Sequence, residues 1–228
     1  FSYGTFKYGL YDIKRKVLIP ADYDTPPELK DGYYLISKKD LFGILDLDGQ
    51  QILKPEWESI TPVDDCFLVS NTQKKFGLVS KNGNVIIKPK YNEIVVLCPG
   101  VYKARSRYWS AGARWKEIWE IYDENGKLTA GPFDEVSLDG DIFIVRYDGR
   151  NGRLDKRGKK IVLSEDGTYV ELPSKFKWGS DFKDGVAKVD VFSKVKYQNY
   201  VDASFNIVIN DNDSIVTVDE SVDYIYER

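Results

Sequence analysis

One phrase recurs along this chain, and its recurrence constrains the fold more than any single residue does. The stretch from Phe76 to Ile94 reads FGLVSKNGNVIIKPKYNEI, and the stretch from Phe42 to Ile60 reads FGILDLDGQQILKPEWESI. A shorter copy, YGLYDIKRKVLIPADYD, begins at Tyr8. The copies that begin at Phe42 and Phe76 are 34 residues apart, a period typical of supersecondary units that stack on one another. The sequence therefore predicts a repeat architecture.

Each copy predicts a short series of strands. An aromatic-Gly strand comes first, and an Asp-Gly or Asn-Gly turn such as Asn82-Gly83 follows, which is a strong hairpin signal. The second strand is expected to end at a proline, Pro55 or Pro89, because proline cannot donate to a ladder. A third strand opens at Gly or Asp, and its third and fifth residues share one face, which we predict to be the core face. These residues are Tyr34, Ile36, Phe67, Val69, Tyr102, Ala104, Phe143, Val145, Ala187 and Val189.

The later copies are degenerate. Glu120 stands where the fourth copy should have its glycine, and the sixth copy has lost the turn glycine at Ser204-Phe205-Asn206. We interpret the chain as one domain, 1-228, with repeats near 8-38, 42-70, 76-105, 119-147, 151-192 and 197-228. Insertions at 106-117 and 164-183 interrupt the period. Such insertions usually form loops on one face, often the binding face.

The expected fold is all-β, with about six repeats of short antiparallel strands. A three-stranded unit cannot bury its own apolar face, so the units must stack. We favour a propeller-like closed ring, because the first copy is short and the tail from Ile215 to Tyr226 offers strands that can pair with the N-terminal strand. A β-solenoid is the alternative.

Composition excludes several classes of function. The 36 acidic and 33 basic residues nearly balance, so there is no electrostatic case for nucleic acid. No stretch approaches the length of apolar sequence that spans a bilayer. The chain has no His, which removes the commonest general base and zinc ligand. We therefore expect neither an enzyme nor a cofactor.

Acidic residues and cysteines each leave two interpretations. Asp12, Asp46 and Asp123 lie beside turns, where Asp usually bonds to the backbone, and one acid per turn is too few for calcium. We therefore predict no metal site. Cys66 and Cys98 occupy similar positions in adjacent copies, so they are either a disulfide or a pair of buried free thiols.

The first insertion holds the best candidate binding residues. Trp, Tyr and Arg dominate binding hot spots, and alternating rings and guanidinium groups can grip a peptide or stack on sugars. The alternative is an extended hairpin whose tryptophans fold back onto the sheets. Trp178, in the second insertion, is another anchor or a seventh decayed aromatic-Gly. The candidates are Arg105, Arg107, Tyr108, Trp109, Arg114, Trp115 and Trp178, with Trp119 beside them.

The repeated phrase resembles the bacterial WG repeat, also called the WG β-repeat. The shared features are the aromatic-Gly pair, the Asp-Gly or Asn-Gly turn, the proline and the aromatic-acidic pair, as in Trp57-Glu58. The resemblance implies an all-β repeat domain of a kind frequent in bacterial surface, periplasmic, secreted or multidomain proteins, with no shared catalytic site. We therefore expect a non-catalytic scaffold that binds a protein partner, with carbohydrate or peptidoglycan binding as the alternative.

Overall fold

The structure, a computed structural model, describes residues 6–110, 112, 114–147, 149–191 and 199–210. Within these ranges the chain forms 23 β-strands and no helix. The strands pair antiparallel in six sheets. Backbone contacts divide the chain into two compact units, 1–128 and 129–228. The all-β prediction is confirmed, while the single-domain interpretation and the closed ring stay predictions.

Unit 1 contains a two-stranded sheet followed by four-stranded ones, each with its strands in chain order. The first sheet pairs β1 (Tyr8–Asp12) with β2 (Val17–Tyr23). The second has β3 (Glu28–Lys30), β4 (Tyr33–Lys38), β5 (Leu41–Leu45) and β6 (Gln51–Trp57). The third has β7 (Ser59–Val63), β8 (Cys66–Ser70), β9 (Phe76–Ser80) and β10 (Val85–Tyr91). The fourth has β11 (Glu93–Cys98), β12 (Val101–Ser110), β13 (Arg114–Tyr122) and β14 (Leu128–Phe133), and the division between the units falls within β14.

Unit 2 contains a five-stranded and a four-stranded sheet, again in chain order. The first has β15 (Glu135–Asp139), β16 (Ile142–Tyr147), β17 (Arg150–Leu154), β18 (Lys160–Leu163) and β19 (Tyr169–Glu171). The second has β20 (Phe176–Gly179), β21 (Ala187–Val191), β22 (Asn199–Val201) and β23 (Ile207–Asn210). The tail strands predicted at 215–226, and their pairing with the N-terminus, lie outside the described residues.

The boundaries of the sequence repeats do not coincide with those of the sheets, because a repeat begins in the middle of one sheet and ends in the middle of the next. The copy at 42-70 supplies β5 and β6 to the second sheet and β7 and β8 to the third. Three strands per copy were predicted, but the residues after the aromatic-acidic pair form a further strand, β7 or β11. The first five copies therefore each join consecutive sheets covalently, which makes neighbouring copies depend on one another for folding.

In the first three copies, the aromatic-Gly strand pairs with a neighbour that bulges by two extra residues. Phe76 pairs with Tyr91, yet Leu78 pairs with Ile87, so the neighbouring strand has extra residues between the same points. The register shifts in the same way on β1–β2 and on β5–β6. A Cβ on Gly77 would lie 2.6 Å from the carbonyl oxygen of Ile87. The glycine is needed because a backbone crosses it at contact distance.

The prolines lie inside this bulge, not at the strand end that the sequence predicted. Strand β6 continues through Pro55 to Trp57, and β10 continues through Pro89 to Tyr91. Both strands are the outermost of their sheets. Proline is tolerated there because bulges and sheet edges leave an N–H without a ladder partner.

The turn glycines pack the sheets of unit 1 together. Gly83, with φ +84°, ends a turn of the third sheet, and its Cβ would lie 2.6 Å from the carbonyl oxygen of Ile52 in the second sheet. Gly126 approaches Ile86 of the third sheet in the same way. These positions need both a left-handed backbone and the space that a side chain would occupy.

The predicted core face is confirmed. All ten residues named from the third strand of each copy are buried. Tyr102 and Ala104 pack with Leu78, Ile87 and Tyr91 in one cluster of unit 1. Alternation along a strand therefore located the core correctly even in copies whose other signals are weak.

Candidate functional site

The first insertion forms the outer part of a hairpin that extends past its sheet. Strand β11 pairs with β12 only from Val101 to Arg105, whereas β13 pairs with β12 up to Ser110. Among the described residues, the outer part of β12 therefore pairs on one side only. Asn92 closes the end of β11, where its side-chain oxygen accepts the Arg107 N–H at 3.1 Å.

Two tryptophans face each other across the tip of this hairpin. Trp109 pairs with Trp115 in the strand register. Their ring centroids are 5.2 Å apart and their planes meet at 80°, an edge-to-face arrangement that aromatic pairs favour. Trp109 is 58% exposed and Trp115 is 55% exposed. The insertion is thus an extended hairpin, but its tryptophans do not fold back onto the sheet.

Cationic side chains alternate with the rings on the same face. The Arg107 guanidinium lies 4.8 Å from the centre of the Trp115 ring, a cation–π contact. Next along the face, Arg105 forms ion pairs with Glu93 at 2.9 Å and Glu117 at 2.8 Å. Arg105 and Lys103 both lie over the Trp119 ring. These contacts hold Arg105 in place, while Arg107 keeps about half of its side chain exposed.

The opposite face of the tip is also cationic and aromatic. Tyr108 pairs with Lys116, and Ser110 pairs with Arg114. All but Ser110 are exposed. Six of the predicted site residues therefore lie on one hairpin, and the sequence interpretation missed Lys116 and Glu117. The pairing register would have identified both, because each lies opposite a named residue.

Trp178 lies in unit 2. Its Nε1 donates to the carbonyl of Asn151 at 2.9 Å, and the Arg150 guanidinium lies 5.3 Å from its ring centre. It belongs to β20, the first strand of a four-stranded sheet, whereas the aromatic-Gly strands β5 and β9 are the third strands of theirs. Trp178-Gly179 is therefore not a seventh copy of the motif.

The second insertion is not a surface loop. It supplies strands β19 and β20, and Leu172 and Phe176 join the core of unit 2 with Val162 and Val189. Asp181 is held by the Leu163 N–H at 3.0 Å and by Arg153. Most of 164–183 therefore completes a sheet and a core.

The turn aspartates bond to the backbone, as the sequence interpretation predicted. Asp46 Oδ1 accepts the N–H groups of Asp48 at 3.0 Å and Gln50 at 2.7 Å. Asp123 and Asp155 do the same in later copies. At Asp166, hydrogen bonds from Ser164 and Thr168 lower the pKa to about 2. No group of acids suited to a metal occurs among the described residues.

The cysteines are free thiols, so the disulfide alternative is wrong. Cys66 is buried, with its Sγ 3.5 Å from the Tyr102 hydroxyl. Cys98 is only partly buried, so burial was correctly predicted for Cys66 alone.

Glu120 occupies the glycine position of the fourth copy and takes part in a buried hydroxyl network. Its carboxylate accepts hydrogen bonds from the Tyr91 hydroxyl at 2.8 Å and the Tyr122 hydroxyl at 3.1 Å. Those hydroxyls also contact each other. Burial is the main cause that raises the pKa of Tyr122 to about 12 and raises that of Tyr91 further. The broken motif at Glu120 was the sequence signal for this network.

Several solved structures resemble this chain at low sequence identity. The computationally designed Ika8 protein has 10% identity and a TM-score of 0.31, covering 83% of this chain and 61% of its own. The WD40 β-propeller domain of Doa1 has 12% identity and a TM-score of 0.28, covering 85% and 66%. Hsv2p of Kluyveromyces lactis has 11% identity and a TM-score of 0.27, covering 88% of each chain. This chain thus spans about three fifths of the length of Ika8.

Sequence comparison is more specific. No curated protein matches the chain. In the part of the chain that the structure describes, no helix has the length and apolar character needed to cross a membrane. The model of the WG containing repeat family matches residues 76–96, which comprise β9, β10 and the start of β11. The third copy of the phrase in this chain is a WG repeat.

Proposed function

We propose that this chain is a non-catalytic scaffold whose β12–β13 hairpin binds a protein partner. The observation that carries the proposal is the exposed pair of Trp109 and Trp115 at the hairpin tip. Large aromatic side chains anchor most protein interfaces, and their rigidity makes binding cost little conformational entropy. Exposed rings held edge to face on a two-stranded support are organised before a partner arrives.

Several observations support a scaffold over an enzyme. The turn acids that a catalytic site would need are engaged by backbone N–H groups, as at Asp46 and Asp155. The chain has no His to serve as a base. The rest of the repeat consists of residues with packing roles, such as Gly77 under its bulge.

The finer architecture is part of the same proposal. We propose that the repeats close into a propeller-like ring rather than a solenoid. Support comes from the four-stranded antiparallel sheets in chain order, the form of propeller blades, and from the first five copies, each of which spans two sheets. The family resemblance favours a bacterial cell-envelope or secreted assembly as the setting.

Replacing the tip tryptophans tests the proposal. Trp109→Ala with Trp115→Ala should abolish pull-down of the partner, because a hot-spot anchor costs at least about 2 kcal/mol when removed. Tyr11→Ala with Tyr169→Ala removes rings of similar exposure elsewhere and should leave the partner bound. Partners are identified by mass spectrometry and retested as purified proteins. Unchanged binding by the tryptophan variant would remove the hairpin from the proposal.

Carbohydrate binding is the second candidate, favoured by the same two exposed indoles. Sugar rings stack on such surfaces, and Glu117 and Arg107 lie beside them to bond hydroxyls. A glycan array that includes peptidoglycan fragments separates the two candidates. Binding there that is lost in the tryptophan variant would favour the carbohydrate, and a blank array would count against it.

A further inference from the structure

We propose that the hairpin tip recognises an acidic, extended segment of its partner, an inference that rests on the proposed function and specifies the partner's chemistry. Charge distribution is the first ground. Between Arg105 and Glu117 there are four positive charges and one negative, in a chain whose net charge is -3. The hairpin is therefore a basic element of an otherwise acidic protein, and it attracts an anionic partner.

Most of this positive charge is available to a partner. Arg105 is neutralised by Glu93 and Glu117. In the described part of the chain, Arg114 and Lys116 take part in no ion pair, and both are exposed. Arg107 reaches Glu117 only at 4.0 Å and is half exposed. Three cations thus surround the tryptophan pair with their charge uncompensated or weakly compensated.

The tip presents cations and rings together on both of its faces. Arg107 lies over Trp115 on one face, and Lys116 pairs with Tyr108 on the other. A neutral ligand would contact the rings but would form no ion pairs with the cations. A segment with carboxylates between apolar side chains uses both, because guanidinium groups bind carboxylates with matched geometry.

The free edge of β12 is the reason to expect an extended conformation of the partner segment. Asn92 N–H bonds the Arg105 carbonyl and the Asn92 side chain bonds the Arg107 N–H, so odd-numbered residues direct their backbone groups to that edge. Past Asn92, the Trp109 backbone groups face the same side and pair with nothing among the described residues. A strand added here would continue the line of β11 and place its side chains beside the indoles.

A protein segment suits this tip better than single-stranded nucleic acid. Nucleic acid is bound along basic grooves that follow many phosphates. Here the uncompensated cations are confined to the hairpin tip, and the carboxylates of Glu93 on β11 and Glu120 on β13 lie beside the base of the hairpin. A phosphate backbone longer than the tip would therefore run past its basic area.

Two short synthetic peptides of equal length provide the test, one alternating Glu with Leu and one alternating Lys with Leu. Titrations of the full chain, followed by tryptophan fluorescence, should show binding of the acidic peptide alone. Raising the salt from about 50 mM to about 500 mM should weaken that binding. Arg114→Glu with Lys116→Glu should weaken it about tenfold or more. The matched control, Lys54→Glu with Lys88→Glu on β6 and β10, should change the affinity less than about twofold.

Equal binding of the two peptides, or full affinity in the hairpin charge variant, would overturn the proposal. Tighter binding of oligothymidylate than of the acidic peptide would overturn it in favour of nucleic acid. Partner pull-down separates this inference from the function beneath it. If the tryptophan variant loses the protein partner while Arg114→Glu with Lys116→Glu keeps it, the acidic class is wrong and the proposed function stands. If both variants keep the partner, both proposals fail.

Discussion

The third copy has Phe76-Gly77 and the fifth has Asn151-Gly152 at the same position of the repeat. Neighbouring backbone leaves no room for a side chain at Gly77, but it does at Gly152. At Gly77, a Cβ would meet the Ile87 carbonyl oxygen at 2.6 Å and the Pro89 nitrogen at 2.8 Å. At Gly152, the nearest atom is Val145 Cγ2 at 3.6 Å, which is ordinary contact.

The neighbouring strand causes this difference. Strand β10 bulges over β9, with Pro89 in the bulge, whereas β18 pairs with β17 without a shift and contains no proline. Neither Gly77 nor Gly152 has a positive φ, so backbone conformation does not require the glycine. The motif glycine is therefore a consequence of the bulge, and a copy that loses the bulge no longer needs it.

The largest expected effect follows from this contrast. Gly77→Ala should lower the free energy of unfolding by about 3 kcal/mol, because two backbone segments must move apart to admit the methyl group. Gly152→Ala should be neutral or stabilising by up to about 1 kcal/mol, because alanine restricts the unfolded chain and fits the space. Urea unfolding of both variants measures the difference. Equal losses would mean that the bulge does not decide where glycine is required.

A smaller difference in the cost to stability is expected between the turn glycines Gly83 and Gly167. Gly83 and Gly167 share a φ of +84°, but Gly83 lies against the Ile52 carbonyl and Gly167 has open space. Gly167→Ala should cost about 1 kcal/mol, which is the strain of a left-handed alanine. Gly83→Ala should cost about 2 kcal/mol, since it also pushes apart two stacked sheets. The same unfolding assay applies, and a matched cost at the two turns would show that the stacking contact yields without strain.

The sequence predicted those parts of the fold that depend on local pattern. Alternation placed Phe67 and Val69 in the core, and the Asn82-Gly83 dipeptide located a turn. The strand β7 was missed because Pro62 lies within it and breaks the expected strand signal. The passage of β6 through Pro55 was missed because the proline was interpreted as a strand end, whereas the bulge that accommodates it depends on how β6 pairs with β5.

The candidate site was predictable in composition but not in geometry. Arginine and tryptophan enrichment located the hairpin, but the pairing of Trp109 with Trp115 depends on the register in which β12 and β13 pair, which the composition does not give. The charge that remains available depends on ion pairs such as Arg105 with Glu93, which lie far apart in sequence. Trp178 was grouped with the hairpin by residue type alone, although its ring is anchored within unit 2.

In the fourth copy, the position of the motif glycine is occupied by Glu120, and the predicted effect on stability is the smallest of the three. Glu120 replaces the glycine, and its carboxylate accepts the hydroxyls of Tyr91 and Tyr122. Burial favours the neutral phenols, so both pKa values lie above the ordinary 10.0, with Tyr122 at about 12. Groups whose pKa is raised on folding contribute stability that is complete below the unfolded pKa and is lost as the pH rises through the folded one.

Stability should therefore decline from about pH 10 upward as the unfolded phenols ionise first. Tyr91→Phe with Tyr122→Phe should make that decline shallower, at a cost of about 1 kcal/mol below pH 10 for the lost hydrogen bonds. Tyr169→Phe, which removes an exposed phenol, is the matched control. Urea unfolding at a series of pH values gives the slopes. If the double variant had the same slope as the unmodified chain, the two phenols beside Glu120 would not contribute to the pH dependence of the protein's stability.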